Sequence, residues 1–223
     1  MKALIIANGV LEDLALWQEE LHGAELIVAA DGGAGHARRL GLRPHAVVGD
    51  VDSLDPETAH WLQENGVPIF RHPAAKDETD LELALLYAAE AGAEEILILG
   101  ALGGRLDHAL ANVHLLALDQ LAGRRVWLLG ADLRAFLLRA GEEGHLSGQV
   151  GDTVSLLPLT AQARGIHTAG LRWALHGATL RMGAARGVSN EMTAPQASVR
   201  LEEGLLLVVH LPAVERSATL EER

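Results

Sequence analysis

The sequence predicts an α/β fold: an N-terminal, mainly parallel α/β sandwich domain over residues 1–130, then a smaller all-β domain, a β-sandwich, over 131–223. Three observations predict it. In the first part, short apolar, β-branched runs alternate with segments whose apolar residues recur at helical spacing, as in parallel strands covered on both faces by helices. Beyond residue 131 no long helical pattern occurs, and short alternating runs are divided by Gly, Pro and polar residues. With 223 residues, 49% of them apolar, the chain can bury a core in each part.

In order, "ALIIAN" (3–8) reads as a strand and "LEDLALWQEEL" (11–21) as a helix. "ELIVAAD" (25–31) is a strand, and "GHARRLG" (35–41) a helix stopped by Gly41. "HAVVGD" (45–50) is a strand; "DPETAHWLQENG" (55–66) is a helix with Pro56 in its first turn and Gly66 past its end. "VPIFR" (67–71) is a strand and "TDLELALLYAAEAG" (79–92) the clearest helix. "EILILG" (95–100), a helix over 106–123 and "RRVWLLG" (124–130) complete the first part. The second part is expected to form strands from "LRAFLLR", "TVSLLPL", "GIHTAG", "LRWALHGATL" and "ASVRLEEGLLLVVHL". The polar "ERSATLEER" at its end is expected to fray.

Composition narrows the function. A net charge of -12 argues against general affinity for nucleic acid or an anionic membrane, though a local phosphate site remains compatible with it. There are no cysteines, which excludes disulfides, thiolate metal sites and cysteine nucleophiles. The apolar part of "MKALIIANGV" is too short for a signal peptide, and no apolar run reaches the roughly 18 residues of a membrane span. A soluble, cytoplasmic protein is the expectation. Aromatics are 3%, so Leu, Ala and Val must fill the core, with Trp17, Trp61 and Trp127 expected in it.

In an open α/β sheet, ligands collect beyond the carboxyl ends of the strands. Four polar clusters fall there: Asp31 with Gly32 and Gly33; Asp50, Asp52 and Ser53; Lys76, Asp77 and Asp80; and "GALGGRLDH" (100–108) with Gly103, Gly104, Arg105 and Asp107. Each has a structural reading as well. The glycines can supply positive φ in turns, Ser53 and Asp55 are both good helix caps, and Thr79 with Glu82 has capping-box spacing. The functional reading explains why "GDVDS" sets two aspartates one residue apart, on one face of an extended chain. Carboxylates brought together repel unless a cation sits between them. Asp50, Asp52 and Asp80 offer only oxygen, which suits Mg²⁺, and Mg²⁺ on few carboxylates completes its shell with water and phosphate oxygens. The edge therefore predicts a metal-bound polyphosphate, with glycine amides and Lys76 or Arg105 neutralising the rest. Neither a P-loop motif nor a G-x-G-x-x-G fingerprint is present.

"ADGGA" (30–34), "GDVDS" (49–53), "KDETDLELAL" (76–85), "GALGGRLDHALAN" (100–112), "GLRWAL" (170–175) and "GVSNE" (187–191), in this order, resemble the thiamine pyrophosphokinase family. The resemblance implies transfer of a diphosphate group from Mg-ATP to the hydroxyl of thiamine, giving thiamine diphosphate and AMP. It also implies a homodimer whose sites lie between one subunit's α/β domain and the other's β-domain. By motif, Asp50, Asp52 and Asp80 are the expected metal and catalytic cluster, joined in catalysis by Lys76 and Arg105. Asp31, Gly32, Gly33, Ser53, Asp77, Gly103, Gly104, Arg105 and Asp107 are expected around ATP. Trp173 is expected to stack on thiamine, with Ser189 and Asn190 as polar contacts; His108 receives no role. Without the resemblance, the alternation of Leu171, Trp173 and Leu175 reads as a strand with Trp173 in the core. Two rival functions are a diphosphokinase for another hydroxymethyl substrate, such as a pterin, and a nucleotide-binding regulatory protein without turnover.

Overall fold

The computed structural model describes residues 1–11, 14, 17–73 and 75–213, the side chains of 19 and 20 apart. The chain divides into two compact units, Met1–Ala131 and Asp132–Arg223.

The first unit is built on strands β1 (Lys2–Ile6), β2 (Leu26–Ala30), β3 (Ala46–Gly49), β4 (Ile69–Arg71), β5 (Glu95–Leu99) and β6 (Arg125–Leu129). They lie in the order β6-β5-β1-β2-β3-β4, and each pairing is parallel. Leu4, Ile5, Ile6, Ile96, Ile98 and Leu99 are fully buried. Strands covered on both faces have no solvent side, so their sequence is apolar throughout rather than alternating.

Helices α1 (Gln18–Leu21), α2 (Gly33–Arg39), α3 (Pro56–Glu64), α4 (Asp80–Glu90) and α5 (Leu106–Leu115) join the strands. The helix expected over 11–21 lies partly outside the described residues. Within them Trp17 is buried, and its indole N–H donates to the Gly130 carbonyl at 2.6 Å. Trp61 and Trp127 are partly buried against core clusters. Asp55 rather than Ser53 caps α3, accepting the Thr58 amide at 2.8 Å. Thr79 caps α4, accepting the Glu82 amide at 3.2 Å, and Leu81, Ala84, Leu85 and Ala88 form the buried face of α4.

The helix expected over 106–123 ends at Leu115, with a short 3-10 turn at Asp119–Leu121. Leu116 and Leu121 are both buried. At about 100° per residue they would stand about 140° apart on a continuous helix. The chain leaves helical geometry at Leu118 (φ -53, ψ 132) and both reach the core.

The second unit is a β-sandwich of two antiparallel sheets. Its strands are β7 (Arg134–Arg139), β8 (Glu143–Ser147), β9 (Thr153–Pro158), β10 (Gln162–Ala169), β11 (Ala178–Arg181), β12 (Asn190–Glu191), β13 (Gln196–Arg200) and β14 (Leu205–Leu211). One sheet runs β12-β9-β14-β7 and the other β11-β10-β13-β8. Burial alternates along β8 and β13, with Leu146, Ala197 and Val199 inside. The expected strand over 171–180 is a loop as far as Gly177. Leu171 makes one bridge to Met192, and β11 begins at Ala178. The break begins at Gly170, whose φ of 71 and whose packing (a Cβ there would lie 2.3 Å from the Gln196 carbonyl oxygen) admit only glycine.

Candidate active site

In the first unit the chain runs from β1 outward through β2, β3 and β4, then returns to place β5 and β6 on the other side of β1. That reversal opens a crevice at the carboxyl ends of the central strands. A cleft of about 1000 Å³ lies there, on the scale of a nucleotide site. Its walls come from Asn8–Val10 after β1, Asp31 after β2, Asp50, Asp52 and Ser53 after β3, Lys76 and Asp80 around the start of α4, and Gly103, Gly104, Arg105 and Asp107 after β5.

Carboxylate oxygens of Asp31, Asp50 and Asp52 lie within 4.8 Å of one another. The expected trio was Asp50, Asp52 and Asp80. Strand register explains why Asp31 joins Asp50 and Asp52: β2 pairs with β3 with Ala30 opposite Val48, so the next residue, Asp31, arrives beside Gly49, with Asp80 near the same glycine. Asp31 is 8% exposed, and its Oδ1 is buried without a hydrogen-bond partner. A buried carboxylate oxygen left unpaired beside two further carboxylates is costly. The residues fit a hard divalent cation, which would satisfy that oxygen and offset the repulsion.

Asp50 and Asp52 do not share one face of a strand. β3 ends at Gly49, and a tight turn follows, with Val51 at φ 59 and the Asp52 amide donating to Asp50 Oδ1 at 3.2 Å. Asp31 also has positive φ, at 45. A β-branched residue in the left-handed region is strained, and such strain concentrates at functional sites. Ser53 donates its hydroxyl to Asp52 Oδ1 at 3.0 Å, orienting that carboxylate.

The glycines serve close approach more than turns. A Cβ on Gly49 (φ 148) would lie 3.0 Å from Asp80 Oδ1 and 3.1 Å from Asp31 Cβ. Gly32 and Gly33 do not have positive φ; Asp31 does. A Cβ on Gly33 would come 2.0 Å from the Ile6 carbonyl oxygen, and one on Gly32 would strike Asn8. Gly32, Gly33 and Asp77 are not among the residues lining the cleft; Glu78 lines it instead of its exposed neighbour Asp77.

The cations of the cleft are engaged. Lys76 Nζ lies 2.6 Å from Asp80 Oδ1, in a largely sheltered pair. Arg105 donates from Nε and Nη2 to the two oxygens of Asp107, at 3.2 and 2.6 Å. The hydrogen bonds from Arg105 bring the Asp107 carboxyl down to about 2. Gly103 and Gly104 hold positive φ in the turn before Arg105. Reading by motif missed Asn8, Gly9, Glu78 and Asn112, which also line the cleft, and gave no role to His108, which lines it too. Asn8 and Gly9 were within reach of the strand-end rule, since they follow β1.

The two readings of the α4 start separate by substitution. Thr79→Ala should cost about 1 kcal/mol of stability, by loss of the cap, with kcat nearly unchanged. Asp80→Asn should lower turnover with little change in the melt. If both variants change only the melt, Asp80 belongs to the helix and not to the site.

In the second unit Trp173 is 58% exposed, so it is not the core residue that alternation suggests. Asn190 is buried and grips its backbone from both sides, Oδ1 accepting the Trp173 amide at 3.1 Å and Nδ2 donating to its carbonyl at 2.9 Å. The amide groups of Asn190 are thus occupied within the protein. Ser189, at φ 59, donates its amide to Ser155 Oγ at 3.0 Å. Arg172 lies over the indole, 5.4 Å from the ring centroid, and pairs with Glu191 at 3.0 Å.

Two family models match the chain: the thiamin pyrophosphokinase catalytic domain over residues 17–128, and the thiamin pyrophosphokinase vitamin B1 binding domain over 144–206. Thiamine pyrophosphokinase 1 of Oryza sativa subsp. japonica is 28% identical, over 94% of this chain and 87% of its own. The Bacillus subtilis thiamine pyrophosphokinase is 24% identical, over 92% of this chain and 96% of its own. A crystal structure of thiamine pyrophosphokinase from Bacillus subtilis has the same fold, with a TM-score of 0.85 at 21% identity, covering 96% of this chain and 100% of that one. The catalytic-domain match spans the carboxylate cluster and the cleft walls that follow β2, β3 and β5, and on these grounds the chain belongs to the thiamin pyrophosphokinase family.

Proposed function

We propose that the cleft of the first unit binds ATP with Mg²⁺ and transfers its terminal diphosphate to the hydroxyl of thiamine, giving thiamine diphosphate and AMP. The observation that carries this reading is the Asp31, Asp50, Asp52 cluster, with the unpartnered Asp31 Oδ1, inside the stretch matching the catalytic-domain model. A pterin diphosphokinase and a non-catalytic nucleotide binder find no support, since both matched models and the named relatives are thiamin pyrophosphokinases.

Asp31, Asp50 and Asp52 are the proposed ligands of Mg²⁺, with Asp80 beside them across Gly49. When bound, Mg²⁺ neutralises phosphate charge and aligns the transferring group. Lys76 and Arg105, each now paired with a carboxylate, can exchange that partner for a phosphate oxygen. The Gly103–Gly104 turn allows a phosphate to approach the backbone closely. The residues' task is alignment and charge neutralisation, which phosphoryl-type transfer needs more than covalent help from the protein.

Thiamine is proposed to stack on Trp173 through its cationic thiazolium. Asn190 acts through the Trp173 backbone that it holds, and Ser189 stands beside it. The proposed assembly is a homodimer with each site shared between two subunits, in the cytoplasm. Release of AMP and thiamine diphosphate, assayed with and without Mg²⁺, tests the reaction; no AMP from Mg-ATP and thiamine would refute it.

Sharing of the site has its own test. Trp173→Ala should weaken thiamine binding by about 1–2 kcal/mol, with ATP binding little changed. In dimers mixing Trp173→Ala and Asp52→Asn chains, one site carries both defects and the other neither. Random pairing makes about half the dimers mixed, so co-expression should recover roughly one quarter of wild-type activity. Assayed at thiamine well below KM, mixed dimers isolated by two tags that show no more activity than the Trp173→Ala parent would show that Trp173 serves its own chain.

A further inference from the structure

His36 is a buried titratable side chain of α2, five residues past Asp31, that the proposed reaction does not use. Its Nε2 lies 2.9 Å from the carbonyl oxygen of Gly9, and its Nδ1 meets the guanidinium of Arg39. A guanidinium only donates, so Nδ1 is the acceptor there. The neutral ring therefore carries its hydrogen on Nε2 and donates it to Gly9.

Gly9 belongs to the stretch that forms one wall of the cleft, with Asn8 and Val10 on either side. Toward β5 this wall is held by backbone bonds, Ala7 N–H to Leu99 at 2.8 Å and Gly9 N–H to Gly100 at 2.7 Å. A Cβ on Gly9 would lie 2.2 Å from the Gly100 carbonyl oxygen, so only glycine can pack so closely there. Toward α2 the tether is the His36 ring. The Asn8 side chain also packs on α2's first turn, against Gly32.

We infer that His36 is a positioning residue for nucleotide binding: by donating to the Gly9 carbonyl it holds the Asn8–Val10 wall of the cleft between α2 and the β5 loop. The inference rests on reading the cleft as the nucleotide site. Without the tether the wall samples other positions, and apparent affinity falls in proportion to the fraction still competent.

The ring's surroundings make the tether sensitive to acid. Protonation would put a second hydrogen on Nδ1, remove the acceptor used by Arg39 and set two cations together. Burial, then Arg39, lower the His36 pKa from its ordinary value against the opposing contact with Gly9, so the ring is neutral at pH 7. Among the described residues, Arg39 is the charged group facing it. On the α3 side, Asp55 and Thr58 stand by Gly35, and Glu57 pairs with Arg38.

Calorimetric titration with Mg-ATP, thiamine omitted, reads the effect without turnover. His36→Leu should bind ATP about five- to ten-fold more weakly, the scale of one hydrogen bond. His36→Gln keeps an N–H near the position of Nε2 and should recover affinity to within about two-fold. Once pH falls far enough to charge the ring, wild-type affinity should drop further than that of His36→Gln, which has no ring to charge. Wild-type protein that does not bind ATP would refute the nucleotide reading itself. If wild type binds and His36→Leu binds equally well, the tether is not used. If His36→Leu does not fold, His36→Asn takes its place, since its shorter amide cannot set an N–H where Nε2 stands, and binding of ATP by His36→Asn as tight as by wild type overturns the inference.

Discussion

Asp31→Asn should abolish most turnover while making the metal-free protein harder to unfold. Asparagine tolerates positive φ as aspartate does, so the backbone at φ 45 is kept. What leaves is one negative charge within 4.8 Å of two others. Each like-charge pair at such a distance costs on the order of 1–3 kcal/mol, according to how much solvent screens it. Without Mg²⁺ the variant should therefore melt higher than wild type. With Mg²⁺ the gap should narrow by about 2.7 kcal/mol, because ligand at a hundred times its Kd adds that much to the form that binds it. Losing one of the three proposed anionic ligands should lower kcat/KM by about 10²-fold or more, given that outer-shell partners of a metal alone account for 10–100-fold. Melting curves with and without Mg²⁺ check the first half and steady-state rates the second. An Mg²⁺-dependent rise in the variant's melt equal to that of wild type would remove Asp31 from the metal site.

The same residue shows where sequence reasoning reached and where it stopped. That Asp31, Asp50 and Asp52 stand at strand ends is legible, because apolar runs mark β2 and β3 and parallel strands end on one edge. Which three carboxylates converge is not legible, because it depends on the β2–β3 register and on a turn with Val51 at φ 59, a conformation that no β-branched residue advertises. The α4 cap was readable from Thr79 and Glu82 because capping is local in sequence. The loop over 171–177 was not: its alternation imitates a strand, and the outcome turns on contacts with the distant residues Asn190 and Gln196. Engagement of Lys76 by Asp80 and of Arg105 by Asp107 also changes the reading of "KDETD" and "GGRLD". Those cations stand ready beside the cleft, each already balanced by a carboxylate.

Asp152→Ala should cost the second unit about 1–3 kcal/mol, the scale of a buried donor left without its acceptor. Asp152 is buried and accepts from His210 Nε2 at 2.7 Å and from the amides of Gln149 at 2.9 Å and Ala213 at 2.7 Å. Arg134 donates to His210 Nδ1 at 3.1 Å, so the ring is held as the Nε2–H tautomer. Alanine would leave the buried His210 Nε2–H without its acceptor, together with the amides of the exposed residues Gln149 and Ala213. The network also sets a dependence on acid. Burial lowers the His210 pKa from 6.5, opposed by the hydrogen bond to Asp152 and aided by Arg134. As pH falls below about 6.5 the unfolded chain takes up a proton that folded His210 refuses, so stability declines; His36, lowered in the same sense, adds to the decline. Burial raises the Asp152 carboxyl, but the Ala213 and Gln149 amides and His210 together bring it below 3.8. Its contribution is therefore full above 3.8 and is lost as pH falls from there through its folded value. Urea unfolding at about pH 7 and about pH 5 should show wild type losing stability between the two, and His210→Gln losing less because its unfolded chain takes up no proton at that position. Equal losses in wild type and His210→Gln would mean that His210 charges as readily in the folded protein as in the unfolded chain, and that the network is not the source of the acid sensitivity.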